Sequence, residues 1–259
     1  MTSISFGRGY QRIIGKDLLP SSSLKILEFD QLYKQLIIDS SLPSSLQTLL
    51  NCYFDQPFTS GVLPSSLLTL SFADAYNQPI LPGSLPPTLQ SLILGLEFKQ
   101  PIEIGVLPHS LQHLEFHPDY KKPMKSAGGI LPSSLIRLYN CYFNRPIDIG
   151  TLPPLLESLS FANRFSQRII VGALPMSLKE LEFGKHYNEE LVSEVIPPFL
   201  QTLKFGQGFT KQIDIKTLPS TLTTLQFAYQ YNEPIIIIAL TIKRSKATIY
   251  YEGEVEDDY

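Results

Sequence analysis

Apolar residues recur along the chain with a period close to 22 residues. The dipeptide Leu-Pro, once Ile-Pro, opens each unit at Leu19, Leu42, Leu63, Leu85, Leu107, Leu131, Leu152, Leu174, Ile196 and Leu218. Two further leucines follow four and seven residues later, as Leu67 and Leu70 follow Leu63, and an extra serine delays them by one residue in the first unit. Because these columns stay in register over residues 19–240, the pattern predicts one array of ten repeats.

Two aromatic columns accompany the leucines. A phenylalanine usually lies two residues after the second leucine, and another aromatic follows four residues later, as in Phe72 and Tyr76. Asn51 and Asn140 take the phenylalanine position in two units, which are one residue shorter before the next aromatic. We interpret the Asn-Cys pairs of these two units as variants of the turn that ends the strand.

The local pattern predicts a β-rich repeat solenoid similar in architecture to leucine-rich repeats. Leu-x-x-Leu-x-Phe ends in the alternation typical of a short strand. Leu-Pro favours extended backbone, and a second frequent proline on the return path disfavours helix. A single unit cannot bury its own leucines, so neighbouring units must stack. We therefore expect a parallel β-sheet on the concave face, extended, polyproline-like or short second strands on the convex face, and little helix.

The predicted array leaves no interior domain boundary, so residues 1–259 form a single solenoid domain. Residues 1–18 are an incomplete first repeat, in which Ile4-Ser5-Phe6 reproduces the end of a strand. Residues 19–240 are the ten repeats, and residues 241–259 are a C-terminal cap and an acidic tail.

Composition narrows the class of protein further. The chain has 21 prolines, 43% hydrophobic and 17% charged residues, and a net charge of −3. So many prolines exclude a helical bundle, the apolar content excludes a disordered chain, and the charge argues against a nucleic-acid partner. We see no signal peptide, and the longest apolar run, 235–240, is far too short to cross a bilayer. With two cysteines, the expectation is a cytoplasmic protein with no membrane partner.

The segments Phe143-Asn-Arg-Pro-Ile-Asp-Ile-Gly-Thr-Leu-Pro153 and Tyr76-Asn-Gln-Pro-Ile80 resemble the FNIP repeat. This repeat is related to leucine-rich repeats and is abundant in social amoebae and in giant viruses of amoebae. The resemblance covers roughly residues 2–240 and implies a solenoid that binds other proteins. Asparagine follows the aromatic only in four units, at Asn77, Asn144, Asn188 and Asn232, so we do not expect an asparagine ladder.

The candidate binding surface consists of strand residues that alternate with the buried leucines. Two groups of units carry larger or charged side chains there, whereas other units carry mostly small ones. The first group contains His113, Glu115 and His117 beside Arg137, Tyr139 and Cys141. The second contains Glu180 and Glu182, with Lys204 in the next unit. The alternative is a solvated strand face without a partner.

No residues stand out as catalytic, cofactor-binding or metal-binding. On a strand, His113 and His117 would lie about 13 Å apart, too far to share a zinc ion. Cys52 and Cys141 lie four units apart, about 19 Å along the axis, so we expect no disulfide between them. One residue before the first of the paired leucines, a hydroxyl recurs at Ser23, Ser45, Ser66, Thr88, Ser110, Ser134, Ser177 and Thr221. We predict that it bonds to nearby backbone, since no histidine recurs beside it.

The sequence thus predicts a non-enzymatic protein-binding scaffold that uses the concave sheet face. The identity of the protein partner does not follow from the residues. The alternative is a structural or assembly protein that associates with itself through the open N-terminal strand edge, for example as a homodimer.

Overall fold

The computed structural model describes residues 2–15, 18–20, 23–35, 37, 41–54, 57–124, 129–192, 194–228, 230–232 and 248–252. Its strands are β1 (Ser3–Ser5), β2 (Ile26–Glu28), β3 (Thr48–Cys52), β4 (Thr69–Phe72), β5 (Ser91–Ile93), β6 (His113–Glu115), β7 (Arg137–Cys141), β8 (Ser158–Phe161), β9 (Glu180–Glu182), β10 (Thr202–Lys204), β11 (Thr224–Ala228) and β12 (Thr248–Glu252). The helical content of these residues is one 3-10 turn, Ile215–Thr217. None of the described helices is long and apolar enough to span a membrane.

All twelve strands form one parallel sheet in which the spatial order follows the chain order. Each strand pairs with the strand one repeat later, and the leucine columns are in register, as in Leu70 with Leu92 and Leu92 with Leu114. The predicted parallel solenoid with little helix is confirmed.

Each regular unit closes its coil through three β-turns. The first follows Leu-Pro, where the Leu111 amide donates to the Pro108 carbonyl at 3.1 Å. The second follows the strand, where the Tyr120 amide donates to the His117 carbonyl at 2.9 Å. The third precedes the next Leu-Pro, where the Val106 amide donates to the Glu103 carbonyl at 3.3 Å. The chain therefore needs no helix to return to the sheet.

The third turn uses a glycine column that the hydrophobic pattern does not reveal. The residue two positions before Leu-Pro has positive φ at Gly61, Gly83, Gly105, Gly129, Gly150 and Gly172. Glycine adopts this backbone conformation without a Cβ penalty. Glu194 occupies the same position with φ 71°, so this unit keeps the turn without a glycine.

The core lies between the sheet and the return path, and the aromatic columns form a ladder of parallel rings inside it. Within a unit, Phe161 stacks on Phe165 with ring centroids 3.9 Å apart. Between units, Phe161 lies 5.6 Å from Phe183, and Phe165 lies 5.9 Å from Tyr187. Offset stacking adds to the burial of these large side chains, so the stacking of units stabilises the ladder.

The recurring hydroxyls also join neighbouring units, which confirms their predicted structural role. Ser110 Oγ donates to the Leu89 carbonyl at 2.6 Å, and Ser45 Oγ donates to the Leu24 carbonyl at 2.8 Å. The acceptor belongs to the preceding unit rather than to the local segment. Each hydroxyl thus satisfies a carbonyl that the extended backbone leaves free.

The assignment of Asn51 and Asn140 to the phenylalanine column is wrong. A β-bulge shifts the register, so that Cys52 pairs with Phe72 and Cys141 pairs with Phe161. The cysteines are fully buried in the phenylalanine position, which also excludes Cys141 from the outward row predicted for it. The sequence spacing could not show this, because a bulge adds one residue without a partner in the neighbouring strand.

The asparagines make these bulges. Asn140 has φ 57°, and its Nδ2 donates to the Phe116 carbonyl at 2.8 Å; Asn51 has φ 55° and makes the equivalent bond to Phe29. Asparagine is one of the few residues other than glycine that tolerates this backbone. Asn51-Cys52 and Asn140-Cys141 thus lie within strands β3 and β7, so the interpretation of Asn-Cys as a variant of the turn that ends the strand is wrong.

The sheet continues past the ten repeats. Strand β12 pairs in parallel with β11, and the register places Ile249 opposite Leu225 and Tyr251 opposite Phe227. The register of the sheet therefore extends into the predicted C-terminal cap, whose remaining residues, 241–247 and 253–259, lie outside the described residues.

Candidate protein-binding surface

The side of the sheet opposite the core carries two rows of side chains, which we call the open face. One row precedes the central leucine of each strand and the other follows it, because side chains alternate along a strand. The pairing stacks His113 beside Arg137 and Glu115 beside Tyr139. It likewise stacks Glu180 beside Thr202 and Glu182 beside Lys204. Seven of the eight predicted surface residues thus lie in these two rows on strands β6, β7, β9 and β10.

Histidine 113 is the centre of the first group. Arg137 Nε donates to His113 Nδ1 at 3.3 Å, and His113 Nε2 lies 3.2 Å from Glu115 Oε2. A ring that accepts at Nδ1 carries its proton at Nε2, so His113 donates to the Glu115 carboxylate. Tyr139 packs edge-on against the same ring at a centroid distance of 5.4 Å. These contacts hold four different polar side chains in one fixed arrangement.

The second group is acidic and borders a shallow depression. Ser158 Oγ donates to Glu180 Oε2 at 2.9 Å, and Lys204 Nζ lies 3.6 Å from Glu182 Oε2. The depression has a volume of about 280 Å³, and its lining includes Tyr139, Glu180, Glu182 and Lys204. Tyr139 therefore connects the two groups into one continuous surface.

His117 does not join these rows. Strand β6 ends at Glu115, and His117 begins the following turn, where its Nδ1 accepts from the Asp119 amide at 3.2 Å. The pKa of Glu97 is lowered chiefly by a hydrogen bond from Lys99 and by the charge of Lys99, and to a smaller extent by the nearby His117. His117 therefore belongs to the ridge formed by the turns after the strands, which we call the turn ridge.

Serines of the open face were not singled out by the sequence, yet they shape this surface. Ser158 and Ser160 are buried between larger neighbours, and the Asn140 amide donates to Ser160 Oγ at 2.8 Å. Because these serines are small, they leave room for Glu180 and Glu182, which occupy the paired positions on the neighbouring strand β9. The register between strands is the signal that identifies such residues.

The turn ridge shows the asparagine contacts that the sequence did not predict as a ladder. Asn77 Oδ1 accepts from the Lys99 amide at 2.8 Å, and Asn188 Oδ1 accepts from the Thr210 amide at 2.9 Å. Asn163 accepts from the Lys185 amide at 3.1 Å although it lies before the second aromatic. These are separate steps between pairs of units, which agrees with the expectation that no continuous ladder forms.

The two cysteines lie in the buried core rather than in a reactive site. Burial raises the pKa of both the Cys52 and the Cys141 thiol, so neither is a nucleophilic thiolate at neutral pH. Both cysteines are free. Within the part of the chain that the structure describes, no three His, Cys, Asp or Glu side chains come close enough to hold a metal ion.

Comparisons with known proteins agree with this geometry. The family model described as FNIP Repeat matches residues 10–50, 76–119, 98–139, 122–163, 143–186 and 187–230. Among solved structures, the chain is similar to the giant-virus protein CroV588, described as a novel circular LRR protein structure, with 30% identity and a TM-score of 0.64. That match covers 91% of this chain and 44% of CroV588, so the chain spans less than half the length of that protein.

A second solved structure is the pneumococcal vaccine antigen PcpA, at 16% identity and a TM-score of 0.32 over 98% of this chain and 68% of that one. This likeness is too weak to add to the description of the fold. A comparison with curated proteins gives no match.

Proposed function

The chain belongs to the FNIP repeat family, and from that premise we propose that it is a non-enzymatic scaffold that binds a protein partner through its open face. The contact lies on strands β6–β10. One observation carries the proposal: polar and charged side chains of different kinds concentrate there, on a sheet whose buried columns barely vary. The core explains the repeated residues, whereas it does not require His113, Arg137 or Glu180.

The composition of this part of the face suits protein recognition. Arginine and tyrosine are enriched at protein interfaces, where they combine contact area with hydrogen bonding. The network around His113 holds Arg137 and Tyr139 before a partner arrives, which lowers the entropy cost of ordering them. The carboxylates of Glu180 and Glu182 then favour partners that carry complementary positive charge.

A charge-swap experiment tests the proposal. The immobilised chain is used to capture proteins from an amoebal lysate, in parallel with the double variant Glu115→Lys/Arg137→Glu. The matched control is Glu97→Lys/Lys99→Glu, which exchanges an exposed ion pair on the turn ridge and also preserves net charge. We expect one partner that the wild type and the control retain and that the open-face variant loses.

Two results would overturn the proposal. Equal capture by the open-face variant would place the contact elsewhere. If only the turn-ridge control variant failed to capture the partner, the contact would lie on the turn ridge. Circular dichroism of all three proteins ensures that any loss reflects binding rather than unfolding.

A second candidate function is assembly through the N-terminal strand edge. One edge of β1 has no partner strand among the described residues, and a cavity of about 650 Å³ opens beside it, lined in part by Ile4, Phe6 and Tyr10. Uncovered strand edges pair readily with other chains. CroV588 is described as circular. We extend that circular closure to this chain as part of the second candidate, with copies of the chain joined edge to edge.

A further inference from the structure

The N-terminal end of the array has the side chains of an interior unit, and no unit among the described residues covers them. Ile4, Phe6 and Tyr10 occupy the same columns as Leu27, Phe29 and Tyr33, with Phe6 stacked 5.4 Å from Phe29. Leu27, Phe29 and Tyr33 are 0%, 1% and 0% exposed, whereas Ile4, Phe6 and Tyr10 are only partly buried. The end of the array is therefore an incomplete stacking interface.

The backbone at this end is incomplete in the same way. The Thr2 carbonyl accepts from the Ile26 amide at 3.0 Å, and the Phe6 amide donates to the Glu28 carbonyl at 2.9 Å. Alternate residues of a strand direct their backbone groups to opposite sides, so the amides of Ser3 and Ser5 point away from β2. These amides are available to one further strand.

The strand at the other end of the sheet, β12, has an edge that is complementary to the open edge of β1. Strand β12 continues the parallel order, and its register places Ile249 in the leucine column and Tyr251 in the phenylalanine column. A strand of this type precedes every interior strand of the array. The edge of β12 that faces away from β11 therefore has the direction and the column order that β1 lacks on its open side.

We propose that the β12 edge of one copy pairs in parallel with the β1 edge of a second copy, so that the chains join head to tail. This inference rests on the second candidate function and specifies its interface. Parallel pairing continues both the leucine and the aromatic columns across the joint. Pairing of β1 with β1 would instead be antiparallel, and with Ile4 opposite Ile4 it would set Phe6 of one copy against Thr2 of the other, so the aromatic column would stop at the joint. Head-to-tail contacts close into rings or extend into filaments, depending on the rotation between copies.

Two blocked variants test the joint. Ser5→Pro removes an amide that makes no hydrogen bond to another described residue, and proline is tolerated on an edge strand when its missing amide would face outward. Ser5→Ala is its matched control, because it keeps the amide. Ile249→Asp introduces a charge at the position that the register sets opposite Leu225, and Tyr250→Asp is its control, because the register sets Tyr250 opposite Gln226.

Sedimentation of the full chain should show self-association for the wild type and for both controls. Each blocked variant alone should associate at least about tenfold more weakly, which corresponds to about 1.4 kcal/mol. An equimolar mixture of the two blocked variants should restore association as a one-to-one pair, because one copy keeps a free β1 edge and the other keeps a free β12 edge.

Other outcomes separate the possible errors. If Ile249→Asp alone still dimerises and the mixture with Ser5→Pro adds nothing, the contact is β1 with β1 and the head-to-tail joint is wrong. If both blocked variants associate like the wild type, assembly uses another surface. A wild type that stays monomeric at all concentrations overturns the joint together with the assembly function, and leaves binding through the open face unaffected. Hydrogen exchange gives a readout that does not depend on the variants: the Ser5 amide should be protected only in the assembled wild type.

Discussion

The neighbouring units of β7 and β8 share their leucines but end their strands differently. Leu138 and Leu159 pair directly and are almost completely buried. After Leu159, Phe161 enters the core and stacks on Phe165. After Leu138, the chain bulges at Asn140, and the smaller Cys141 enters the core in the phenylalanine position.

This comparison shows that the leucine columns determine how the strands pair. They do not determine the length of the turn that follows each strand. The shortened turn does not interrupt the pairing of β6, β7 and β8. Because the turn of the β7 unit is short, the turns of the β6 and β8 units contact each other directly. The Asn163 amide donates to the Pro118 carbonyl at 2.8 Å, two units away. The turn ridge therefore tolerates a change of length that the sheet would not.

Truncation of the core residue that differs between the two units should give the largest contrast. Phe161→Ala removes a ring stacked within its own unit and on the next, and we expect it to lower the free energy of unfolding by about 3–5 kcal/mol. Cys141→Ala removes a single sulfur from the same register position, and we expect a loss of about 1 kcal/mol. Urea denaturation of both variants measures this difference. Equal losses would mean that Cys141 does not occupy the phenylalanine position.

The reactivity of the thiols tests the burial of Cys52 and Cys141 in the native chain, without any substitution. Because burial raises the pKa of the Cys52 and Cys141 thiols, the reactive thiolate is depleted at neutral pH, and the fold also blocks access. We expect labelling by an aromatic disulfide reagent to be at least about a hundredfold slower in buffer than in urea, the factor that an opening cost of about 2.8 kcal/mol would give. Rapid labelling of the native chain would place the cysteines on the surface and contradict their burial in the core.

The bulge itself can be broken at Asn140. Asn140→Ala loses the hydrogen bond to the Phe116 carbonyl and places an alanine at φ 57°, so we expect a loss of about 1–3 kcal/mol. Asn140→Gly keeps the backbone conformation and loses only the hydrogen bond, for which we expect about 1 kcal/mol. Thermal unfolding compares the two variants. A smaller loss for alanine than for glycine would contradict the left-handed bulge.

We expect the smallest change in stability from substitutions in the third turn. This turn is present both in units with the bulge and in units without it. Glu194 is a non-glycine residue at the positive-φ position, and Glu194→Gly should raise the free energy of unfolding by about 1 kcal/mol. Gly150→Ala in the unit of β7 should lower it by a similar amount. The same urea titration detects both changes, and a destabilised Glu194→Gly would show that the glutamate side chain has a contact that outweighs the backbone strain.

Much of this fold could be predicted from the sequence because the same leucines set both the repeat and the sheet. They recur about every 22 residues along the chain, and they pair with one another between neighbouring strands. The prediction failed at Asn140 because counting residues cannot distinguish a bulge from a shorter turn. The glycine column could not be predicted from the apolar pattern for a different reason. Its signal is printed in the sequence, two residues before Leu-Pro, but it is absent from a pattern of apolar positions.

The candidate surface was predicted to a similar degree. Alternation along a strand placed His113, Glu115, Arg137 and Tyr139 on one face. It could not show the contacts between their side chains, nor that β6 ends before His117. The role of Ser160 beneath its neighbours depends on packing between units, which no single unit contains. Binding through this face remains a prediction.

The central claim is that the units stack into one continuous sheet. Pulsed electron spin resonance tests it directly with nitroxides at engineered cysteines on the row that precedes the central leucine, in a background with Cys52 and Cys141 changed to alanine. Labels at Thr202 paired in turn with Thr48, Thr69 and Ser91 lie seven, six and five strands apart. At about 4.8 Å per strand, the predicted mean distances are about 34, 29 and 24 Å. Distances that decrease by one strand spacing from pair to pair support the stacked array, whereas distances unrelated to the number of intervening strands would contradict it.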